Sequence, residues 1–146
     1  MTIRELRRED HDGWSELWSA YLSFYRQELT EEVTRTAFER LCDERDGMFA
    51  LVALDERARP IGFAHGTLHA STWALNGYCY LEDLFVAPAA RGGEVARELI
   101  EAVARVAHEH GVERMYWHTQ QFNGAARSLY DKVGRLTSTV VYEREV

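Results

Sequence analysis

The sequence predicts a layered α/β or α+β domain, and three observations carry that expectation. Its hydrophobic period switches repeatedly between the two-residue repeat of strands and the three-and-four spacing of helices, which is how alternating layers read in one dimension. A chain of 146 residues builds one core and is too short for two. With 46% hydrophobic and 28% charged residues, and no Ser/Gly/Pro-rich or single-sign run, nothing marks a linker. Residues 1–146 are therefore expected to form one domain that must hold every ligand.

Taken in order, Thr2 to Leu6 reads as a short strand. Trp14, Leu17, Trp18, Tyr21, Leu22 and Tyr25 then recur at helical spacing, with Asp10 or Asp12 as N-cap. Thr30 is placed to cap a second helix carrying Val33, Ala37, Phe38 and Leu41 and ending near Gly47. The apolar run Met48 to Leu54 predicts a strand covered on both faces, and Ile61 to Leu68 should pair with it as a hairpin.

Tyr78 to Val86 is a third long strand, stopped by Pro88. It leads through Ala89-Ala90-Arg91-Gly92-Gly93 into a helix with Val95, Leu99, Ile100, Val103, Val106 and Ala107 on one stripe and Gly111 as its stop. Arg114 to Thr119 is a strand, Asn123 caps a helix with Ala126, Leu129, Tyr130 and Val133 on one face, and Leu136 to Glu143 returns as a last strand. The expected order is βααβββαβαβ, with a right-handed crossover leaving the third helix's N-terminus at the carboxyl end of strand Tyr78–Val86.

Seventeen basic against 24 acidic residues give a formal charge of −7, which opposes a nucleic-acid partner and permits a cationic ligand. The charged start Met1 to Asp10 and the lack of an apolar run near the ~18 residues of a membrane span point to a cytoplasmic protein with no membrane partner. Cys42 and Cys79 lack metal-ligand spacing and are expected to be free thiols. His65 and His69 would lie ~13 Å apart along a strand, too far to share a metal. There is no G-x-G-x-x-G, no G-K-[ST] and no G-x-S-x-G, which excludes the dinucleotide, P-loop and serine-elbow signatures.

One segment does point to an anion. Arg91-Gly92-Gly93-Glu94-Val95-Ala96-Arg97 opens a helix, where unpaired backbone N–H groups and the helix dipole favour negative charge, and two arginines add to it. A glycine pair before a helix is more often only a tight turn, so the segment alone does not name a ligand.

In context the segment resembles the GNAT superfamily of acetyltransferases. Val86-Ala87-Pro88 followed by Arg91-Gly92-Gly93-Glu94-Val95-Ala96 is similar to the family's V-x-P and [QR]-x-x-G-x-[GA] signature, and Asn123 to Tyr130 looks like its N-x-x-A-x-x-x-Y segment. The strand Tyr80-Leu81-Glu82-Asp83-Leu84-Phe85-Val86 is similar to that of polyamine (spermidine/spermine) and small histone/polyamine acetyltransferases. The resemblance implies a splayed, mostly antiparallel sheet flanked by helices. It implies acetyl-CoA with its pantetheine along Leu84, Phe85 and Val86, its pyrophosphate on Arg91 to Arg97, and Asn123 and Tyr130 on the cofactor side. The reaction it implies is acetyl transfer to a primary amine, whether a polyamine, a lysine-containing peptide or a small amine.

This chain departs from the pattern twice. Glu94 stands where the family has glycine, placing a carboxylate that repels a diphosphate by ~1 kcal/mol per charge at exposed distances. Only one strand fits after Gly134, which leaves a sheet edge for a second subunit to cover, as in a homodimer.

The chemistry needs a base, because an alkylammonium with pKa near ~10.4 is almost wholly protonated at neutral pH. Glu82 and Asp83 are adjacent carboxylates inside an otherwise apolar strand, and alternation sends them to opposite faces unless a bulge intervenes. By resemblance Glu82 is the candidate base and Asp83 a holder of the cationic substrate; two structural acids at a sheet opening are the competing reading. Tyr130 could hydrogen-bond the departing thiolate. Tyr21, Tyr25 and Trp73 are candidates to line the acceptor site, although aromatic stripes at helical spacing are usually core. The rival class is a non-catalytic acyl-CoA sensor that kept the fold, with Glu94 as its mark.

Overall fold

The computed structural model describes residues 1–146. Its elements are β1 (Thr2–Glu5), α1 (His11–Phe24), α2 (Glu31–Asp43), β2 (Met48–Leu54), β3 (Pro60–Ser71), β4 (Ala74–Val86), α3 (Val95–Glu109), β5 (Met115–Tyr116) and α4 (Gly124–Val133). They form one α/β domain around a five-stranded open sheet in the order β1-β2-β3-β4-β5, antiparallel except for the parallel pair β4–β5.

Strand alternation divides the core in two. Phe49, Leu51, Ala53, Ala64, Cys79 and Leu81 pack beneath the apolar stripe of α3, joined by Leu129, Tyr130 and Val133 of α4. On the opposite face Ala50, Val52, Leu54, Phe63 and Phe85 meet Trp14, Leu17 and Trp18 of α1 and Phe38 and Leu41 of α2. Cys79 is fully buried and free, and burial pushes its thiol up to about 11; Cys42 is free as well.

The helix ends follow local chemistry. Thr30 Oγ1 accepts from the Val33 N–H at 3.2 Å and caps α2 as expected. Asp10 precedes α1 but makes no cap bond. Its carboxylate instead takes both Arg4 guanidinium nitrogens at 2.7 and 2.9 Å and the Arg7 N–H at 2.8 Å, tying β1 to the start of α1. The Arg4 hydrogen bond, more than any other influence, holds the Asp10 carboxyl below the usual carboxylate range. α3 ends with Gly111 at φ 73°, where the Val112 N–H reaches back to the Ala107 carbonyl at 3.0 Å.

Three outcomes differ from the sequence expectation. The β3–β4 hairpin is longer at its tip, running to Ser71 and from Ala74 around a turn at Thr72 and Trp73. β5 is only two residues, not Arg114 to Thr119, because β4 parts from it beyond Tyr80. The last strand, Leu136 to Glu143, is not formed within the chain. Residues 135–146 make no backbone hydrogen bond, and Leu136, Val140, Val141 and Tyr142 are exposed. Strand-forming side chains need a ladder to join, and the short β5 offers them none.

Candidate active site

The site begins where two strands part. β5 pairs with β4 only at Cys79 and Tyr80, so from Leu81 to Val86 the far edge of β4 has no neighbour. On its near edge the Ala87 N–H donates to the Ile61 carbonyl at 2.8 Å. Alternation of an antiparallel ladder then turns the Phe85 main chain toward β3 and the Leu84 and Val86 groups toward the opening. Of the three residues expected along pantetheine, two present main-chain groups to the gap and Phe85 contributes a buried ring.

A bulge lies at the mouth of this gap. His65 pairs with Asp83 and Gly66 with Leu81, leaving Glu82 without an opposite number. Gly66 is required there, since a Cβ would stand 2.4 Å from the Phe49 ring. The bulge resolves the question that alternation posed for the two acids. Asp83 is largely buried, with Oδ1 accepting from the Tyr21 hydroxyl at 2.7 Å and Oδ2 lying 2.9 Å from His65 Nδ1. Glu82 remains exposed and unpaired, yet the surrounding protein and then the Asp83 charge raise its carboxyl above the ordinary range, with His65 acting in the opposite direction.

The phosphate turn leaves β4 through one 3-10 turn, Pro88–Ala90. The N–H groups of Gly92, Gly93, Glu94, Val95, Ala96 and Arg97 donate to nothing in the chain. Gly92 sits at φ 84°, and added Cβ atoms at Gly92 and Gly93 would meet nothing within 4 Å, so open space faces this run of donors. That is the chemistry a diphosphate needs, and these residues fit coenzyme A. Glu94 occupies the N-cap position with an exposed side chain that makes no cap bond. Arg97 is exposed. Arg91 is partly used: its Nε donates to the Val86 carbonyl at 3.0 Å, and its guanidinium lies over the Phe85 and Phe24 rings at 5.4 and 5.8 Å.

Across the opening, Asn123 caps α4 by accepting from the Ala126 N–H at 3.4 Å. Tyr130 is half-buried against Trp117, with ring centroids 5.4 Å apart, and its hydroxyl has no partner in the chain. Burial, and then Tyr25, push its phenol up, which keeps it a donor.

Fit to a cofactor is not yet identity, which comparison with known proteins supplies. The model of the Acetyltransferase (GNAT) family matches residues 8–134. The chain belongs to that family. It is similar to a D-amino-acid N-acetyltransferase of Saccharomyces cerevisiae strain S288c, 34% identical over 145 residues that span 99% of this chain and 90% of the relative. An uncharacterised N-acetyltransferase of Bacillus subtilis is 30% identical, covering 92% and 89% of the two chains. Among solved structures, the aminoglycoside acetyltransferase AAC(6')-Iy in complex with a bisubstrate analogue superposes with a TM-score of 0.85 over 99% of this chain and 97% of that one, at 21% identity. A probable acetyltransferase also superposes at 0.85, with 26% identity and coverage of 100% and 97%. As a GNAT enzyme, this protein is an N-acetyltransferase whose co-substrate is acetyl-CoA.

Not every residue expected at the acceptor side gathers there. Tyr21 joins the carboxylate pair through Asp83, and Tyr25 sits against Tyr21 at 5.0 Å. Trp73 does not: it stands at the tip of the β3–β4 hairpin, 83% exposed. Nine residues separate it from Glu82, roughly 30 Å along a strand. Conversely, Tyr80, Tyr116 and His118 form an aromatic shelf that the sequence did not disclose. Tyr80 stacks on Tyr116 at 4.9 Å and lies 5.2 Å from His118. Burial first, and then the Glu82 charge, raise the Tyr80 phenol, so the shelf lies in the field of that carboxylate. The sequence did not bring His65 and Trp14 to Asp83 either: the β3–β4 register places His65 opposite it, and the packing of α1 brings the Trp14 indole to His65.

Proposed function

We propose that the enzyme transfers acetyl directly to a primary amine, with Glu82 as proton acceptor and the Tyr130 hydroxyl as donor to the departing sulfur. The observation that carries this reading is the bulge, which leaves Glu82 as the free carboxylate at the mouth of the parted strands. When bound, acetyl-CoA supplies the activated thioester. The free N–H groups from Gly92 to Arg97 grip its diphosphate, and Leu84 and Val86 offer main-chain partners to the pantetheine. Glu82 takes the proton of the acceptor ammonium, directly or through water, while Asp83, Tyr21 and Tyr25 form the acidic and aromatic wall beside it.

The acceptor class we propose is a small cationic amine: a polyamine, a lysine-like side chain or another small primary amine. The net charge of −7 and the carboxylate pair support it. A related protein of Caenorhabditis elegans, 35% identical over 69 residues, is a thialysine N-epsilon-acetyltransferase, and a terminal alkylamine of that kind suits the same wall. We further propose a cytoplasmic location, consistent with the two free thiols. We also propose a homodimer in which the arm of residues 135–146, rich in strand-forming side chains, finds its ladder on a second copy. Sedimentation equilibrium of the intact chain checks this, and a monomer at micromolar concentration removes it.

The central test is an acetyl-CoA consumption screen over amines as a function of pH. With the Glu82 carboxyl raised, kcat/KM should climb through a limb above the ordinary carboxylate range, separate from the acceptor's own amine near ~10. Glu82→Gln should lower kcat by ~10² to 10⁴ and erase that limb. A variant with unaltered turnover and limb would remove Glu82 from the chemistry.

A further inference from the structure

Behind the acceptor wall, His65 and Trp14 form a buried polar pair to which neither substrate nor cofactor assigns a role. His65 lies in the apolar layer between α1 and β3, only 4% exposed, stacked on Phe63 at 4.4 Å and flanked by Trp18 at 5.4 Å. An aliphatic residue would fill that position at lower desolvation cost, because buried polar groups are costly unless every hydrogen bond is made. Here every one is made. The Trp14 indole is a donor only, and its Nε1–H meets His65 Nε2 at 3.0 Å, so Nε2 carries the lone pair. The single ring proton is therefore on Nδ1, which donates to Asp83 Oδ2 at 2.9 Å. Asp83 Oδ1 in turn takes the Tyr21 hydroxyl.

The chain Trp14–His65–Asp83–Tyr21 clamps Asp83 from two elements, α1 and β3. Asp83 is the next residue after Glu82, the one that bulges out of the ladder. A bulge has no ladder bond to fix its residue, so its orientation depends on what holds the flanking positions. We propose that His65 is a positioning residue of acetyl transfer: by donating Nδ1–H to Asp83 it anchors the bulge that presents Glu82 to the acceptor. This rests on Glu82 being the base, as proposed above.

The groups that bear on Glu82 are the Asp83 carboxylate and His65, with the Tyr21 and Tyr80 phenols within its field. Loss of the His65 donor leaves the Asp83 charge less compensated, so repulsion of ionised Glu82 grows and its limb moves to higher pH.

Two amide substitutions separate positioning from mere packing. In His65→Asn the amide nitrogen falls near the place of Nδ1 and keeps the donation to Asp83 while losing the Trp14 bond. In His65→Gln the amide reaches the place of Nε2, keeps Trp14 and loses Asp83. His65→Gln should lower kcat by at least about tenfold, a part of what a positioned base contributes, with acetyl-CoA Kd unchanged and the acid limb of kcat/KM displaced upward. His65→Asn should recover turnover to within about threefold and restore the limb. Equal losses in both variants, tracking their loss of thermal stability, overturn the proposal; so does an unmoved limb in both. Should His65→Gln fail to fold, Tyr21→Phe removes the other clamp from a half-buried site, and it must shift the limb in the same direction or the proposal fails. Glu82→Gln, measured in parallel, keeps the two readings apart. If it retains the limb, the base assignment falls and the positioning role falls with it; if it erases the limb while His65→Asn and His65→Gln lose turnover equally, the positioning role falls alone.

Discussion

The two halves of this molecule use their hydrogen bonds in opposite ways. From β1 to β4 each strand is paired along its length with the next, interrupted only at bulges, and even the polar groups beneath α1 are paired: His65 has a partner at each nitrogen and Asp83 at each oxygen. At the corner where β4 leaves β5 the reverse holds. Apart from the Val86 carbonyl, which Arg91 Nε reaches, the far edge of β4 beyond Tyr80, the N–H groups of the first turn of α3 and the main chain of residues 135–146 have no hydrogen-bond partner in the chain. The closed half holds a geometry, and the open half leaves main-chain groups free for a ligand. Glu82, on the border, adjoins the doubly bonded Asp83 on one side and is exposed on the other, which suits the role of general base proposed for it.

The comparison is most severely tested by Trp14→Ala. Trp14 is fully buried and bonded to His65, so its removal should cost ~3–5 kcal/mol in chemical denaturation. A loss below about 1 kcal/mol would mean that the closed half is not the rigid element described. On the open side, Tyr130→Phe deletes a hydroxyl with no partner in the chain. It should leave the unfolding midpoint unchanged and acetyl-CoA binding intact while lowering kcat by roughly 10²- to 10³-fold, a loss of the size associated with one transition-state hydrogen bond. Unchanged turnover across a panel of amines would take Tyr130 out of the mechanism.

The smallest effect belongs to the phosphate turn. Glu94 projects into solvent beside the free donors, so Glu94→Gly should tighten coenzyme A by about fivefold, the worth of ~1 kcal/mol of repulsion relieved at the nearer phosphate charge, the farther one being screened. Calorimetry at two ionic strengths checks both the size and the electrostatic cause, since the gain should shrink as salt rises. A weaker complex would show that Glu94 contributes to the turn itself.

Much of this architecture is legible in the sequence. Met48 to Leu54 was delimited to the residue by its unbroken apolar run, and Thr30 announced the cap of α2 by its chemistry alone. The glycine-containing turn and the paired acids were visible because such residues are out of place in a strand or helix stripe. Three things were not legible. The length of β5 depends on how far β4 follows it. The exposure of Trp73 depends on where the hairpin turns. The failure of Leu136 to Glu143 to form a strand depends on whether any edge lies beside it. Each is a property of a neighbour, not of the segment.

By itself, then, the sequence determined the order of the elements from β1 to α4, the layered α/β class and the chemical types gathered around residues 82–97, because period, capping and turn chemistry act over a few residues. Tertiary structure alone decided which of Glu82 and Asp83 is free, which proton His65 carries and where the strands part. Those outcomes turn on a one-residue slip between β3 and β4 and on an indole reaching across from α1, distances that no local pattern encodes.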